Sequence, residues 1–398
     1  MTLASDIMPV NYQEIQRQIR EMGAQATERA QQLEALTEHA RHTLAEWGSH
    51  LDVLRQRVEI ASGYNSALRC AAPVHERLSQ TFLPPRLPEP EVLLAADGSQ
   101  VNPNRHDPVQ FGVINVGAIR MTPGAQQAPR EIVQSRLLYY EDLFSNDMPV
   151  GEEVVALMRD LGERRLLADL AAQESGQALT LTDGPLELFR EPRDRPQFQE
   201  LFDQYLEALQ RLARLDVITA GYVDRPLADL VVRLLELALL DERDLERAGH
   251  IRPLRYVTDL ALFAPLLAPG ERSAIFAIQS TSAARFTGVT ALHFFYLNTG
   301  RPAQPSFSRV EIPQWVAAQP AAVDRLHAAL LAQCERMGAR PYPYILHRAH
   351  EVAVVSLDEK QRLMEMILLE LRRQGVGVAG ETHKQGLKNL AGKSRYSR

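Results

Sequence analysis

The run ALTLTD, residues 178–183, constrains the fold more than any other stretch of this chain. Apolar and methyl-bearing residues fill both sides of its alternation. It therefore reads as a strand buried on both faces, the kind found where helices cover a mostly parallel sheet. A helix precedes it: in EEVVALMRDLGERRLLADLAAQE (152–174), Val155, Met158, Leu161, Leu166 and Leu170 recur at helical spacing. A second helix (199–215) and a second apolar strand, DVITAGYVD, follow. Upstream, EVLLAAD, VQFGVINVGAIRM (109–121) and REIVQSRLLYYEDLF read as three strands. Three strands, helix, strand, helix, strand predicts an α/β fold with a mixed sheet flanked by helices.

The second half continues in kind. PGERSAIFAIQS (269–280) and GVTALHFFYLNTG (288–300) read as a strand pair, and SRVEIPQWVA (308–317) as a strand turning into a helix at Pro313. Helices are expected over 320–337, roughly 345–355 and 358–374. No internal repeat or low-complexity tract interrupts the pattern.

From Tyr12 to Val58 the sequence is helical, with one apolar stripe through Ile15, Ile19, Met22, Leu33, Leu36, Ala40, Leu44, Trp47, Leu51 and Leu54. Such a stripe cannot be buried alone. A coiled-coil-like pairing with a second subunit and packing on the chain's own domain both satisfy it. The division expected is a helical region over 1–80, a Pro-rich linker over 81–91, an α/β domain over 92–378 and a basic tail over 379–398.

Bulk properties set outer limits. The 398 residues exceed what one compact core usually needs. The formal charge is −6, so the chain does not coat nucleic acid with a basic surface, and any such contact is local. Two distant cysteines, Cys70 and Cys334, make no disulfide framework or zinc cluster and fit a reducing compartment. The first residues lack a basic region followed by an apolar run, and no apolar stretch approaches the roughly 20 residues of a membrane span. A cytoplasmic protein without membrane contact is expected.

Both buried strands run into Asp-Gly: LLAADGSQ at 93–100 and LTLTDGPL at 179–186. Ligands in α/β sheets bind at carboxyl ends of strands. Two carboxylates there can share a hard divalent cation such as Mn²⁺ or Mg²⁺. An ordinary turn explains one Asp-Gly; two, each after a buried strand, point to a site. A third acid is available in the helix between them, Glu163, with Asp169 about 240° further round at 3.6 residues per turn. Near the C-terminus, ARPYPYILHRAHEVAVVS offers Tyr342, His347 and His350, and histidine is both a ligand and a proton carrier near pH 7.

The order AADGSQ, VINVG, RDLGER, DGPL, GYVDRP, APGERS, FFYLN, RVEIPQWV, YPYILHRAH resembles the NurA nuclease family from about residue 92 to 375. The resemblance implies an RNase H-like core and a manganese-dependent nuclease that removes nucleotides from 5′ ends and cuts single-stranded DNA. It also implies a homodimer working beside a HerA-type hexameric ATPase in the processing of DNA ends. Asp97 and Asp183 match the family's strand aspartates, Tyr342 and His350 its late Tyr and His. Glu163 takes the helical glutamate's place, with Asp169 in reserve. Asp97, Asp183, Glu163 and His350 are then the expected metal ligands, His350 alternatively the proton donor, and Tyr342 the group that positions the scissile phosphate. Two other readings compete. One is a non-catalytic protein that bridges a translocase to DNA. The other is a phosphotransferase or phosphatase using Asp97 as nucleophile, disfavoured because Ser99 stands where such sites carry a second Asp. No Walker A sequence is present.

Overall fold

A computed structural model describes residues 10–86, 92–145, 148–188 and 196–376. The basic tail over 379–398 lies outside the described residues. In chain order the elements are α1 (Tyr12–Trp47), α2 (Leu51–Tyr64), β1 (Cys70–Pro73), β2 (Thr81–Phe82), β3 (Val92–Val101), β4 (Gly112–Met121) and β5 (Arg130–Leu138). Then come β6 (Phe144–Ser145), β7 (Met148–Pro149), α3 (Glu152–Ala171), β8 (Ala178–Asp183), α4 (Pro196–Arg214), β9 (Ile218–Asp224), α5 (Leu230–Leu239) and α6 (Asp259–Phe263). The chain continues through β10 (Arg272–Ser273), β11 (Phe276–Gln279), β12 (Leu292–Asn298), β13 (Phe307–Pro313), α7 (Gln314–Ala317), α8 (Pro320–Arg336), α9 (Tyr344–Ala353) and α10 (Leu357–Arg373).

Among the described residues, eleven strands form one sheet. Its main path is β1-β11-β12-β13-β9-β8-β3-β4-β5, with β2 and β10 pairing off this path. The centre follows from the sequence pattern. β3, β4 and β5 form an antiparallel meander; β8 lies parallel to β3, and β9 parallel to β8. The apolar strands β8 and β9 sit in the middle, as their double-sided burial requires. This is an RNase H-like mixed sheet extended on its β9 side by antiparallel strands.

Two glycines decide how helices lie on it. A Cβ on Gly98 would stand 2.5 Å from Cγ of Arg159 and 2.7 Å from Oε1 of Glu163, so α3 presses against β3 there. A Cβ on Gly117 would stand 2.7 Å from the backbone nitrogen of Ala353, so α9 presses against β4. Gly117 is paired with Asp97, the neighbour of Gly98, and successive residues face opposite ways. Helices α3 and α9 therefore cover opposite faces of the same strands.

The N-terminal stripe divides in two. Thr37, Ala40, Thr43 and Leu44 of α1 are buried, and α1 and α2 pack on α5. Ala40, Leu44 and Leu54 belong to one contiguous core with the sheet. Earlier in α1, Tyr12, Ile15, Ile19 and Met22 remain exposed. The helical stretch expected over Tyr12–Val58, as one helix or a hairpin, is two helices: it breaks at residues 48–50 and resumes to Tyr64. Thr81 and Phe82, in the Pro-rich stretch, pair with β10.

Candidate active site

Asp97 was expected where its strand ends. Instead β3 continues to Val101, and what stops at Asp97 is the parallel pairing with β8, whose last register pair is Ala96 with Thr182. β8 ends on Asp183 one step further. The two aspartates thus stand side by side on neighbouring parallel strands, at the carboxyl end of the parallel part of the sheet. Gly98 continues the strand and admits α3. Gly184, by contrast, turns the chain with φ at +83°, a conformation that favours glycine.

One short segment brings both late residues to these acids. The Tyr342 hydroxyl donates to the Asp183 carboxylate, and its ring stands edge-on to Tyr222 at 5.5 Å. Tyr222 is itself the register partner of Asp183 on β9. Pro343 then opens α9, which the amide of Gln333 holds at Ile345 N–H. One and a half turns on, Nδ1 of His350 lies 2.7 Å from Oδ2 of Asp97. His347 faces away and lies 3.6 Å from Glu351.

Glu163 reaches the group from the other face. Expected as the third acid of the site, it is only 6% exposed and lies over Gly98. Its Oε1 is 3.6 Å from Nε of Arg159. Burial pushes its carboxyl well above the ordinary range, and the charge of Asp160 adds to that; Arg164 and Arg159 oppose it, and Asp97 adds a further upward push. Asp169 takes no part: it pairs with Arg211 of α4. Burial also raises the Asp183 carboxyl, countered by the Tyr342 hydroxyl and reinforced by the charge of Asp97. A pocket of about 300 Å³ opens beside these groups, lined by Glu163, Asp183, Arg159, Arg164 and Tyr205 among others.

Among the described residues no three His, Cys, Asp or Glu side chains form a ready-made metal cage. The donor set nevertheless fits a hard divalent cation, since it holds three carboxylates and one imidazole. Burial is the main reason that Glu163 and Asp183 favour their protons, and the charge of Asp97 adds to it; a cation held among the three carboxylates would oppose both effects.

Sequence reasoning missed the buried Glu311 of β13. Its Oε2 accepts from the backbone N–H of Leu186 at 2.8 Å and Glu187 at 3.1 Å, and so holds the loop after Asp183. The glutamate stands in RVEIPQWV, but nothing in that motif tells which backbone it meets.

The strand order and the paired aspartates define an RNase H-like protein with an acidic site at the carboxyl end of its parallel strands. The NurA domain model matches residues 91–355, and the chain belongs to the NurA family. The NurA nuclease from Sulfolobus solfataricus has a similar fold: the two are 12% identical with a TM-score of 0.50, over 91% of this chain and 98% of that one. The catalytic domain of human Endonuclease V aligns with a TM-score of 0.32 at 13% identity, over 80% of this chain and 98% of that one. No curated protein matches the chain in sequence.

Proposed function

We propose that the chain is a metal-dependent deoxyribonuclease whose working groups are Asp97, Asp183, Glu163, His350 and Tyr342. The observation that carries this reading is the placing of Asp97 and Asp183 on adjacent parallel strands, each one step past the last register pair of Ala96 with Thr182, with His350 seated on Asp97. Membership of the NurA family supports it, as does the likeness of fold to a NurA nuclease. Asp97 and Asp183 would hold Mn²⁺ or Mg²⁺ with Glu163 completing the ligands, and His350 would serve through Nε2 either as a further ligand or, alternatively, as the proton donor. Bound there, the metal supplies charge stabilisation for the attacking and leaving oxygens of phosphodiester cleavage. His350 donates from Nδ1 to Asp97, so its Nε2 faces outward and can carry a proton to a leaving oxygen. The Tyr342 hydroxyl orients the Asp183 carboxylate, and its ring borders the place a nucleotide must occupy.

The finer reading is a 5′-to-3′ exonuclease and single-strand endonuclease that works as a homodimer with a HerA-type hexameric translocase in DNA end processing. The exposed stripe of Tyr12, Ile15, Ile19 and Met22 supports a protein partner for the start of α1. A net charge of −6 supports local engagement of DNA at the site rather than broad coating. The two free, buried thiols support a reducing, cytoplasmic setting. No described helix is long and apolar enough to cross a membrane. The rival reading is a non-catalytic bridge between translocase and DNA, which the retained acids disfavour.

End-labelled single- and double-stranded DNA, incubated with Mn²⁺, Mg²⁺ or EDTA, separates the two. Metal-dependent digestion that Asp97→Ala abolishes is the expected result. A folded wild type that stays inert, with and without a translocase it binds, leaves the bridging role.

A further inference from the structure

The residues that follow Asp97 on its strand take part in an arrangement separate from the acids. Ser99 of β3 is paired with Asn115 of β4, and Asn115 with Ser135 of β5. The three form a row across the sheet, parallel to the row of Asp97 and Gly117 two residues away. Side chains two apart on a strand share a face, so both rows look toward α9.

Two side chains of the second row converge on the last carbonyl of that helix, and the third supports them. The Ser99 hydroxyl donates to the Ala353 carbonyl at 2.5 Å, and the Asn115 amide donates to the same oxygen at 2.8 Å. The Ser135 hydroxyl donates to Oδ1 of Asn115 at 2.6 Å, which fixes the way the amide points. The N–H of Val355, just past the helix, donates to Oγ of Ser99 at 3.1 Å. Ala353 is fully buried, and the last carbonyls of a helix have no partner within it. The sheet supplies those partners here.

We propose that Ser99 and Asn115 are positioning residues that set the register of α9 on the sheet and thereby hold His350 against Asp97. His350 lies one turn before Ala353, and each residue of a helix turns it by 100°. A slip of one residue at the clamp therefore carries the imidazole off Asp97 altogether. Gly117 makes the seating close, since its missing Cβ is where the backbone of Val352 and Ala353 rests. The clamp explains two motifs at once: the Ser of ADGSQ and the Asn of VINVG meet at one carbonyl.

The proposal rests on the reading of His350 as a working group only for its effect on rate; its geometric content is tested without activity. Histidine-selective ¹⁵N labelling gives the ring spectrum of the full chain, and His350 is assigned by its absence in His350→Gln. In the Ser99→Ala/Asn115→Ala double variant the His350 Nδ1 signal is expected to move to that of a free imidazole, while the other histidines stay put. Cleavage should fall about 100-fold through kcat, with KM for DNA unchanged within about twofold. Ser99→Thr keeps the hydroxyl and should restore both signal and rate in the Asn115 background. An unmoved His350 signal in the folded double variant overturns the proposal and leaves the clamp a stabilising contact. Should that variant not fold, Ser135→Ala removes only the bond that orients the amide. A shifted His350 signal there supports the proposal, and an unmoved one overturns it. If the wild type proves not to be a nuclease, the spectrum alone still decides.

Discussion

Nδ1 of His350 lies 2.7 Å from Oδ2 of Asp97, across 253 positions of sequence. A carboxylate accepts, so the imidazole donates there, and its Nε2 is left with a lone pair facing the open side. The side chain is 61% exposed, whereas that of Asp97 is 16% exposed. The pair thus joins an enclosed acid to an accessible proton carrier. Replacing His350 with Gln should lower the cleavage rate by about 10²- to 10⁴-fold, the range for acid–base groups. Single-turnover kinetics give the rate, and DNA affinity measured in parallel should stay within about twofold. An equal loss of affinity and rate would move His350 from the chemistry to substrate binding.

Glu163 ties stability to pH in a direction that can be worked out. Burial, aided by Asp160, raises its carboxyl in the folded chain well above the ordinary value. Unfolded, the group ionises near pH 4.3. Above that pH the folded state keeps a proton that the unfolded state has lost, so stability falls as pH rises toward the folded value. Neutral glutamine does not carry this penalty. In EDTA, Glu163→Gln should match wild type in Tm near pH 4 and exceed it at pH 8; assayed separately with Mn²⁺, its cleavage should be lost. A wild type more stable than the variant at pH 8 would mean that Arg159 and Arg164 outweigh burial.

A divalent cation should bind where the carboxylates crowd. Mn²⁺ at about 100 times its Kd stabilises a folded chain by about 2.7 kcal/mol through mass action. Differential scanning fluorimetry of wild type should show the corresponding rise in Tm. Asp97→Ala and Asp183→Ala should each remove it. A rise preserved in both variants places the ion elsewhere on the chain.

Much of this architecture is legible in the residues, and the exceptions share a cause. The strands β8 and β9 and the helix α3 show themselves because their apolar spacing is local. α5, LVVRLLELAL, gives no such signal: it is apolar nearly all round, since it is buried among α1, α2, α6 and β1. The edge strand β1 is four residues long and is defined by its distant partner β11. Asp-Gly at 97–98 reads as a turn because glycine usually serves one. Here Gly98 continues a strand so that α3 can bring Glu163 down onto it. That need comes from a helix more than fifty residues later, and no window of sequence around Gly98 contains it. The same holds for Glu163, whose burial depends on which side of α3 meets the sheet.

The loop after Asp183 offers a test of how far the acids depend on their supports. Gly221 of β9 lacks the Cβ that would stand 2.6 Å from the Gly184 carbonyl, so the loop lies flat on the sheet. Glu311, paired with Gly221 in register, completes the hold through the N–H groups of Leu186 and Glu187. Its other oxygen accepts from Arg309 at 2.7 Å, and both side chains are almost wholly buried. Glu311→Ala leaves a buried guanidinium and two N–H groups without their acceptor, and should cost about 3–5 kcal/mol. Glu311→Gln keeps one acceptor oxygen and should cost on the order of 1–3 kcal/mol. Urea unfolding should show the lower midpoint with an unchanged m-value. At 25 °C, where the Gln variant remains folded, its cleavage rate should still fall, because Asp183 is no longer fixed beside Asp97. A Gln variant with reduced stability and full activity would show that the strand alone positions Asp183 and that Glu311 serves only the fold.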